Sequence, residues 1–151
     1  GILASFEGAL AASMVLTNFI PMLMDTGGNS GGQSSATIIR GLSLGEIQYR
    51  DVPRVLLKEC SVAMLCGGTL ALANFVKLLL VDRVALTVAA VVCVTLVAAI
   101  LVANIVGSSL PILAKRLGLD PTVTASPLIT TIVDAVVLMI YFNIAKAVLG
   151  I

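Results

Sequence analysis

Two aspartates, Asp25 and Asp134, lie inside strongly apolar stretches of the sequence. A charged side chain at the centre of a membrane helix costs roughly 2.5 to 3.5 kcal/mol on insertion scales, so it is expected to face a bundle interior or a water-filled cavity. Carboxylates, hydroxyls and free carbonyls are hard oxygen ligands, which suit Mg²⁺ or Ca²⁺ better than softer transition metals. The aspartates are therefore the first candidates for contact with a metal cation.

Each aspartate is accompanied by polar or small residues at helical spacing. The spacing around Asp134 predicts one polar stripe, and Pro127 within it is expected to free the carbonyl of Val123. The other members of that stripe are Thr130, Thr131 and Tyr141. Around Asp25 a second stripe consists of Asn18, Pro21, Asn29 and Gly32. The alternative for Asp134 is that it pairs with a buried basic side chain or hydrogen-bonds a neighbouring helix, but no Lys, Arg or His lies at matching depth.

A cluster of four glycines follows Asp25, at positions 27, 28, 31 and 32. Small residues let a second helix backbone approach closely in membranes, so helix packing alone is the alternative to a role in a polar path. No phosphate-binding loop is present, since the glycines lack the strand, helix N-terminus and lysine that such loops need.

The composition predicts an all-α polytopic membrane protein. Of 151 residues, 59% are hydrophobic and 11% charged, with a mean hydropathy of +1.13, whereas soluble domains carry about 25% charged residues. The net charge of +1 disfavours nucleic-acid binding. Without His, and with three cysteines that lack CxxC spacing, the chain offers no soft metal site and no parts for hydrolysis. We therefore expect no enzyme.

The apolar runs predict one helical bundle with four complete transmembrane helices, at about 9–42, 53–80, 84–117 and 121–149. The first is long for one crossing, contains Pro21 and the glycine cluster, and is expected to be bent or locally broken. Asp51 and Asp120 are predicted to be N-caps, and Gly118 is predicted to end a helix. An interfacial helix start is predicted at Arg54, Lys58 and Glu59. Residues 1–6 resemble the end of a preceding helix.

Basic residues in the connections predict the orientation. Six lie between the first and second helices or between the third and fourth, against three on the other side. By the positive-inside rule the six are cytoplasmic and the C-terminus lies outside, in a plasma membrane of bacterial type.

The run from Pro21 to Leu42, P-x-L-x-x-x-G-G-N-x-G-x-Q-S-x-x-x-x-x-R-x-L, resembles the signature of the MgtE family of magnesium channels and transporters. Three further segments are similar to family segments, and the resemblance covers essentially the whole chain. They read DVPRVLLKE, ANIVGSSLPILAKRLGLDP and DPTVTASPLITTIVDAVVLMIYF.

The resemblance implies a homodimer in the lipid bilayer with five helices per subunit, of which the four complete segments are the second to fifth. It implies a pore on the two-fold axis, with Asp134 and its dimer mate holding hydrated Mg²⁺ as the transported and pore-bound ion. The expected lining residues are Asp25, Gly28, Asn29, Gly32, Ser126, Pro127, Thr130 and Thr131. Family members also carry cytosolic N and CBS domains, which we do not expect in this chain.

The chain departs from the family pattern at Ser126, where the family has Asn, and at Val137, where Gly is common. Gly32 is at a position that can be Asn in the family. We expect these changes to alter selectivity and affinity, with Asp25 compensating. Two alternatives to a passive channel stay open. One is an exchanger that couples Mg²⁺ to Na⁺ or H⁺, and the other is a membrane module that transports nothing.

Overall fold

The computed structural model describes residues 14–84, 86–124 and 126–149, except the side chains of residues 49, 123, 124, 126 and 149. Within these ranges the chain forms four long helices and no strand: α1 (Ile20–Ser43), α2 (Val52–Leu80), α3 (Leu86–Arg116) and α4 (Ser126–Leu149). The predicted all-α class is confirmed. The tail predicted at residues 1–6 lies outside the described residues.

Three of the described helices are long and apolar enough to cross a membrane, namely α2, α3 and the 127–148 part of α4. The fourth, α1, has 24 residues, which gives a length of about 36 Å at 1.5 Å per residue. Its polar residues keep its hydropathy below that of the other three, so its crossing of the membrane stays a prediction that its length allows.

The predicted break in the first segment lies just before Pro21. Residues 14–17 are helical, but the amides of Asn18 and Phe19 bond to carbonyls only three residues back, at 3.1 Å each. Helix α1 then restarts with Pro21 in its first turn, where the missing N–H costs no helical hydrogen bond. The glycine cluster is uninterrupted helix, so the glycines do not cause the break.

Helix α3 is the centre of the bundle, because its side chains pack against those of all three other helices. A Cβ on Gly107 of α3 would lie 3.1 Å from the Cα of Gly31 and closer still to its carbonyl oxygen. A Cβ on Gly31 would lie 2.9 Å from Ile129 of α4. Gly31 and Gly107 therefore bring the α1 and α3 backbones into direct contact, as predicted for the glycine cluster.

Helix α4 begins at Ser126 rather than at the predicted residue 121. Pro121 to Thr124 form a separate 3₁₀ helix, in which the Asp120 carboxylate accepts the amide N–H of Thr122 at 3.0 Å. The predicted Asp120 cap is confirmed, but it caps this 3₁₀ helix and not α4. Since Pro127 occupies the first turn of α4, the predicted loss of a hydrogen bond to Val123 inside the helix is wrong.

Of the other two predicted helix ends, the one at Gly118 is confirmed and the cap at Asp51 is not. Gly118 has φ of 81°, and the amide of Leu119 bonds back to Ala114 at 2.9 Å, as expected of a C-terminal glycine. Asp51 precedes α2 but makes no side-chain cap, because its carboxylate accepts the Gln48 amide at 2.9 Å instead.

Candidate functional site

An open polar cleft of about 380 Å³ runs between α1 and α4. Five of the residues that line it were named from the sequence as pore candidates, and the remaining two are Pro21 and Met24. The five are Asp25, Gly28, Asn29, Thr130 and Asp134. Two carboxylates separated by more than a hundred residues in sequence therefore share one cleft.

The two helices run antiparallel, which places the aspartates at similar depth. Leu16 meets Tyr141 through a 2.7 Å hydrogen bond, and further along α1 a Cβ on Gly28 would lie 3.7 Å from Thr130. From that Gly28 and Thr130 level, Asp25 is three residues back along α1 and Asp134 four residues on along α4. These steps correspond to about 4.5 and 6 Å in the same direction.

The two carboxylates differ in their surroundings. Asp25 is exposed, whereas Asp134 is half-buried, and its Oδ1 atom is shielded from solvent without a hydrogen-bond partner among the described residues. A buried acceptor without a donor costs free energy. The Asp134 oxygen is therefore suited to a cation or to the water molecules around one.

Three of the other predicted lining residues, Gly32, Thr131 and Pro127, do not line this cleft. Gly32 faces open space, with no atom within 4 Å of the position that an added Cβ would take. Thr131 is exposed and its hydroxyl donates to the Pro127 carbonyl at 2.8 Å, one turn back on its own helix. Pro127 is exposed at the first turn of α4, and the side chain of Ser126 lies outside the described residues.

Tyr141 does not belong to the polar stripe predicted around Asp134. Its ring is buried, and its hydroxyl donates to the Leu16 carbonyl at 2.7 Å. It packs in line with Val133 and Val137, which are also buried. Tyr141 therefore connects the C-terminal part of α4 to the segment before α1.

A second polar cavity, of about 440 Å³, was not predicted from the sequence. It lies between α1, α2 and α3 and contains Glu59, which is only 9% exposed. The Glu59 carboxylate accepts the Ser34 hydroxyl at 2.7 Å, and Asn104 lies beside it. Glu59 is buried by these partners from α1 and α3, and its predicted place at an interfacial helix start stays a prediction.

The α1–α4 cleft, with its two carboxylates set among apolar helices, is the kind of site found in polytopic membrane proteins that handle cations. The chain belongs to the MgtE family, whose model, described as a divalent cation transporter, matches residues 20–144.

Curated relatives agree with this assignment. The chain is 41% identical to the magnesium transporter MgtE of Thermus thermophilus and 33% identical to that of Bacillus subtilis, over 98% and 97% of its length. The match covers 32% of either relative, so the chain spans about a third of their length. The relatives are transporters, and magnesium is the ion in their names.

Proposed function

We propose that this chain is the pore-forming part of a Mg²⁺ channel or facilitator, in which hydrated Mg²⁺ passes along the α1–α4 cleft. The observation that supports this most is the shared cleft of Asp25 and Asp134, with an unpartnered Asp134 oxygen. Mg²⁺ gives up its water reluctantly and prefers six ligands. Six waters at about 30 Å³ each need roughly 180 Å³, which the cleft of about 380 Å³ accommodates.

The pore is completed by a second copy of the chain across a two-fold axis. This part of the proposal rests on the openness of the cleft, because a groove on one side of a subunit cannot by itself enclose a hydrated ion in a bilayer. Two copies of Asp134 supply a charge of −2 that matches Mg²⁺. Asp25 adds further negative charge at the same depth and raises the local concentration of divalent cations.

The cytoplasmic side, on this proposal, is the end where α1 meets α2 and α3 meets α4, and the C-terminus lies outside. Inward movement of a divalent cation then gains about 4.6 kcal/mol per 100 mV of membrane potential. No coupling to another gradient is required for uptake.

The test is Mg²⁺ flux into proteoliposomes that contain the wild type, Asp134→Ala or the control Asp82→Ala. Asp82 lies outside the helices and pairs only with Lys77, at 3.9 Å among the described contacts. We expect the first variant to lose most of the flux and the control to retain it. Equal flux from wild type and Asp134→Ala, both folded, would remove the basis of the proposal.

Imposed Na⁺ and pH gradients distinguish a channel from a coupled exchanger. Flux through a channel follows the Mg²⁺ gradient and the membrane potential, whereas a coupled exchanger responds to an opposing Na⁺ or pH gradient at fixed potential. The same vesicles also test Asp25. If Asp25→Asn leaves ion affinity and flux unchanged, its compensating role is wrong.

Crosslinking tests the two-fold axis. In a chain whose exposed Cys66 is changed to Ser, Thr131→Cys places a thiol on the open side of α4, one turn from Asp134. We expect it to join two chains under mild oxidation. Val94→Cys, exposed on α3, is the control that should stay monomeric on a denaturing gel.

A further inference from the structure

The end of the bundle where α1 connects to α2 contains a further cleft, of about 400 Å³. Three basic side chains line it, Arg40 from the last turns of α1 and Arg54 and Lys58 from the first turns of α2. Arg54 and Lys58 are four residues apart, so they lie on the same face of α2, one above the other. This cleft, called the basic cleft below, therefore brings basic side chains from two helices to one opening.

The wall of the basic cleft is held in place by the connection between α1 and α2. The amides of Glu46 and Ile47 both bond to the Gly41 carbonyl, at 2.9 and 3.2 Å, and the Ile47 side chain packs directly on Gly41. Ile47 also packs against the small apolar cluster that joins this end of α1 to α3. The shape of the cleft is therefore set by the fold, which lowers the entropic cost of binding a ligand there.

The three basic side chains are available to a ligand. Arg40, Arg54 and Lys58 are all exposed. In the described part of the chain, none of their nitrogens comes within 4 Å of a carboxylate oxygen. Their positive charges are therefore not neutralised by ion pairs within the described residues.

Three carboxylates also line the basic cleft, but they differ in exposure. Asp51 is half-buried and accepts the Gln48 amide at 2.9 Å, and the buried Glu59 accepts the Ser34 hydroxyl at 2.7 Å. Glu46 is the exposed one among the three. The opening of the cleft thus presents three exposed cations and one exposed carboxylate, which favours an anionic ligand.

The N-terminus of α2 and the chemistry of the two basic residues on it favour a phosphate group. No side chain caps this N-terminus, and a helix N-terminus carries about half a positive charge, which stabilises phosphate. The planar guanidinium of Arg54 has N–H donors in a fork that matches two phosphate oxygens, and Lys58 adds a positive charge one turn further on.

The length of α2 places the basic cleft at the surface of the membrane. Helix α2 has 29 residues and is therefore about 43 Å long, whereas the hydrocarbon core of a bilayer is about 30 Å thick. Three of the four charged residues of α2 lie among its first eight residues. This end of the helix therefore extends into the headgroup layer, where lipid phosphates lie.

Apolar side chains continue from the basic cleft toward the middle of α2. Leu57 lies between Arg54 and Lys58 in the sequence and is 70% exposed, and two turns further on Met64 and Leu65 are 55% and 73% exposed. A phospholipid with its headgroup in the cleft places its acyl chains along this apolar surface. Free phosphate gains nothing from that surface, so the arrangement favours a lipid.

We infer that Arg40, Arg54 and Lys58 bind the headgroup of one anionic phospholipid, with its phosphodiester in the basic cleft and its acyl chains along α2. No described residue lines both this cleft and the α1–α4 cleft. The inference therefore does not rest on Mg²⁺ transport.

The test compares phosphatidylglycerol with phosphatidylcholine of the same acyl chains, each titrated into the purified chain in uncharged detergent without Mg²⁺. A ligand that binds only the folded state raises the unfolding temperature, and native mass spectrometry counts the lipids that the chain retains. We expect a saturable rise in unfolding temperature and one retained lipid per chain with phosphatidylglycerol, and neither with phosphatidylcholine. In Arg54→Gln/Lys58→Gln, binding should weaken about 30-fold, the effect of two basic residues at an anionic membrane surface.

Lys77→Gln/Lys146→Gln is the matched control, because it removes the same charge from exposed residues at the opposite end of the bundle; it should bind phosphatidylglycerol as the wild type does. Inorganic phosphate at the same concentration should leave the unfolding temperature of the wild type unchanged. Equal responses of the wild type to the two lipids would overturn the inference, whether or not the variants fold. So would a phosphatidylglycerol response that Arg54→Gln/Lys58→Gln keeps or that the control loses, or a response to inorganic phosphate with none to the lipid.

Discussion

The contact between α1 and α3 at Gly31 and Gly107 predicts the effect of a single added methyl group. In Gly107→Ala the new Cβ would lie 3.1 Å from the Cα of Gly31, whereas carbon atoms pack best at about 3.5 to 4.0 Å. The shortfall is therefore about 0.4 to 0.9 Å. Because the neighbour is backbone, it cannot rotate away, and the two helices have to separate.

Overpacking of this kind costs up to about 3 kcal/mol, and replacing a helical glycine by alanine returns about 1 kcal/mol. The cost of overpacking minus the gain in helix propensity gives an expected loss of about 2 kcal/mol of stability for Gly107→Ala. The separation also moves α1 relative to the rest of the bundle, so Mg²⁺ flux should fall together with the stability.

The assay is thermal unfolding in detergent micelles with Gly68→Ala as the control. Gly68 is in the interior of α2, is exposed, and has no atom within 4 Å of an added Cβ. The control carries the helix-propensity gain without the clash and should unfold at the wild-type temperature or above it. If Gly107→Ala unfolds at the same temperature as Gly68→Ala, the close contact between α1 and α3 is not present in the protein.

Three further predictions concern substitutions that each remove one contact or one hydroxyl group. Tyr141→Phe removes the 2.7 Å hydrogen bond to the Leu16 carbonyl, which then keeps the Phe19 amide as a donor at 3.1 Å, and it should cost about 1 kcal/mol in the same unfolding assay; an unchanged unfolding temperature would mean that the hydroxyl does not stabilise the fold through this bond. Thr130→Val removes a hydroxyl from the cleft at nearly constant volume and should lower Mg²⁺ flux less than Asp134→Ala does, with an unaltered unfolding temperature. The Thr122 amide lowers the pKa of Asp120 by hydrogen bonding, so the contribution of this cap is present above the unfolded pKa of about 3.9 and lost as the pH falls through the lower folded pKa. The protection factor of the Thr122 amide against hydrogen exchange should fall as the pH drops below about 3.9 in the wild type and show no such step in Asp120→Asn.

The helices could be predicted because long apolar runs leave few alternatives in a membrane. The start of α4 could not, since Pro121 and Pro127 both suit a first helical turn and nothing local chooses between them. The 3₁₀ helix between these prolines is stabilised by the Asp120 carboxylate. Here a short-range hydrogen bond decided a boundary that periodicity leaves open.

The meeting of Asp25 and Asp134 was implied by the family resemblance rather than by the residues themselves. Their juxtaposition depends on α1 and α4 being antiparallel and in register at Gly28 and Thr130, which no local pattern encodes. Glu59 was missed for a similar reason. Arg54 and Lys58 beside it in sequence suggested an interfacial helix start, while the residues that bury it come from α1 and α3.

The low hydropathy of α1 follows from the number of polar surfaces that it contacts. Only the stripe containing Leu23, Gly27, Gly31 and Ile38 is fully packed in the bundle, and polar residues on its other sides line the α1–α4 cleft and the Glu59 cavity. A helix with one apolar stripe cannot face lipid around its circumference. Helices α3 and α4 cover two sides of α1, so the exposed side with Asp25 and Gln33 has to meet water or another protein. A second copy placed against that side would enclose water between two such surfaces, which is the arrangement that a pore for a hydrated ion requires.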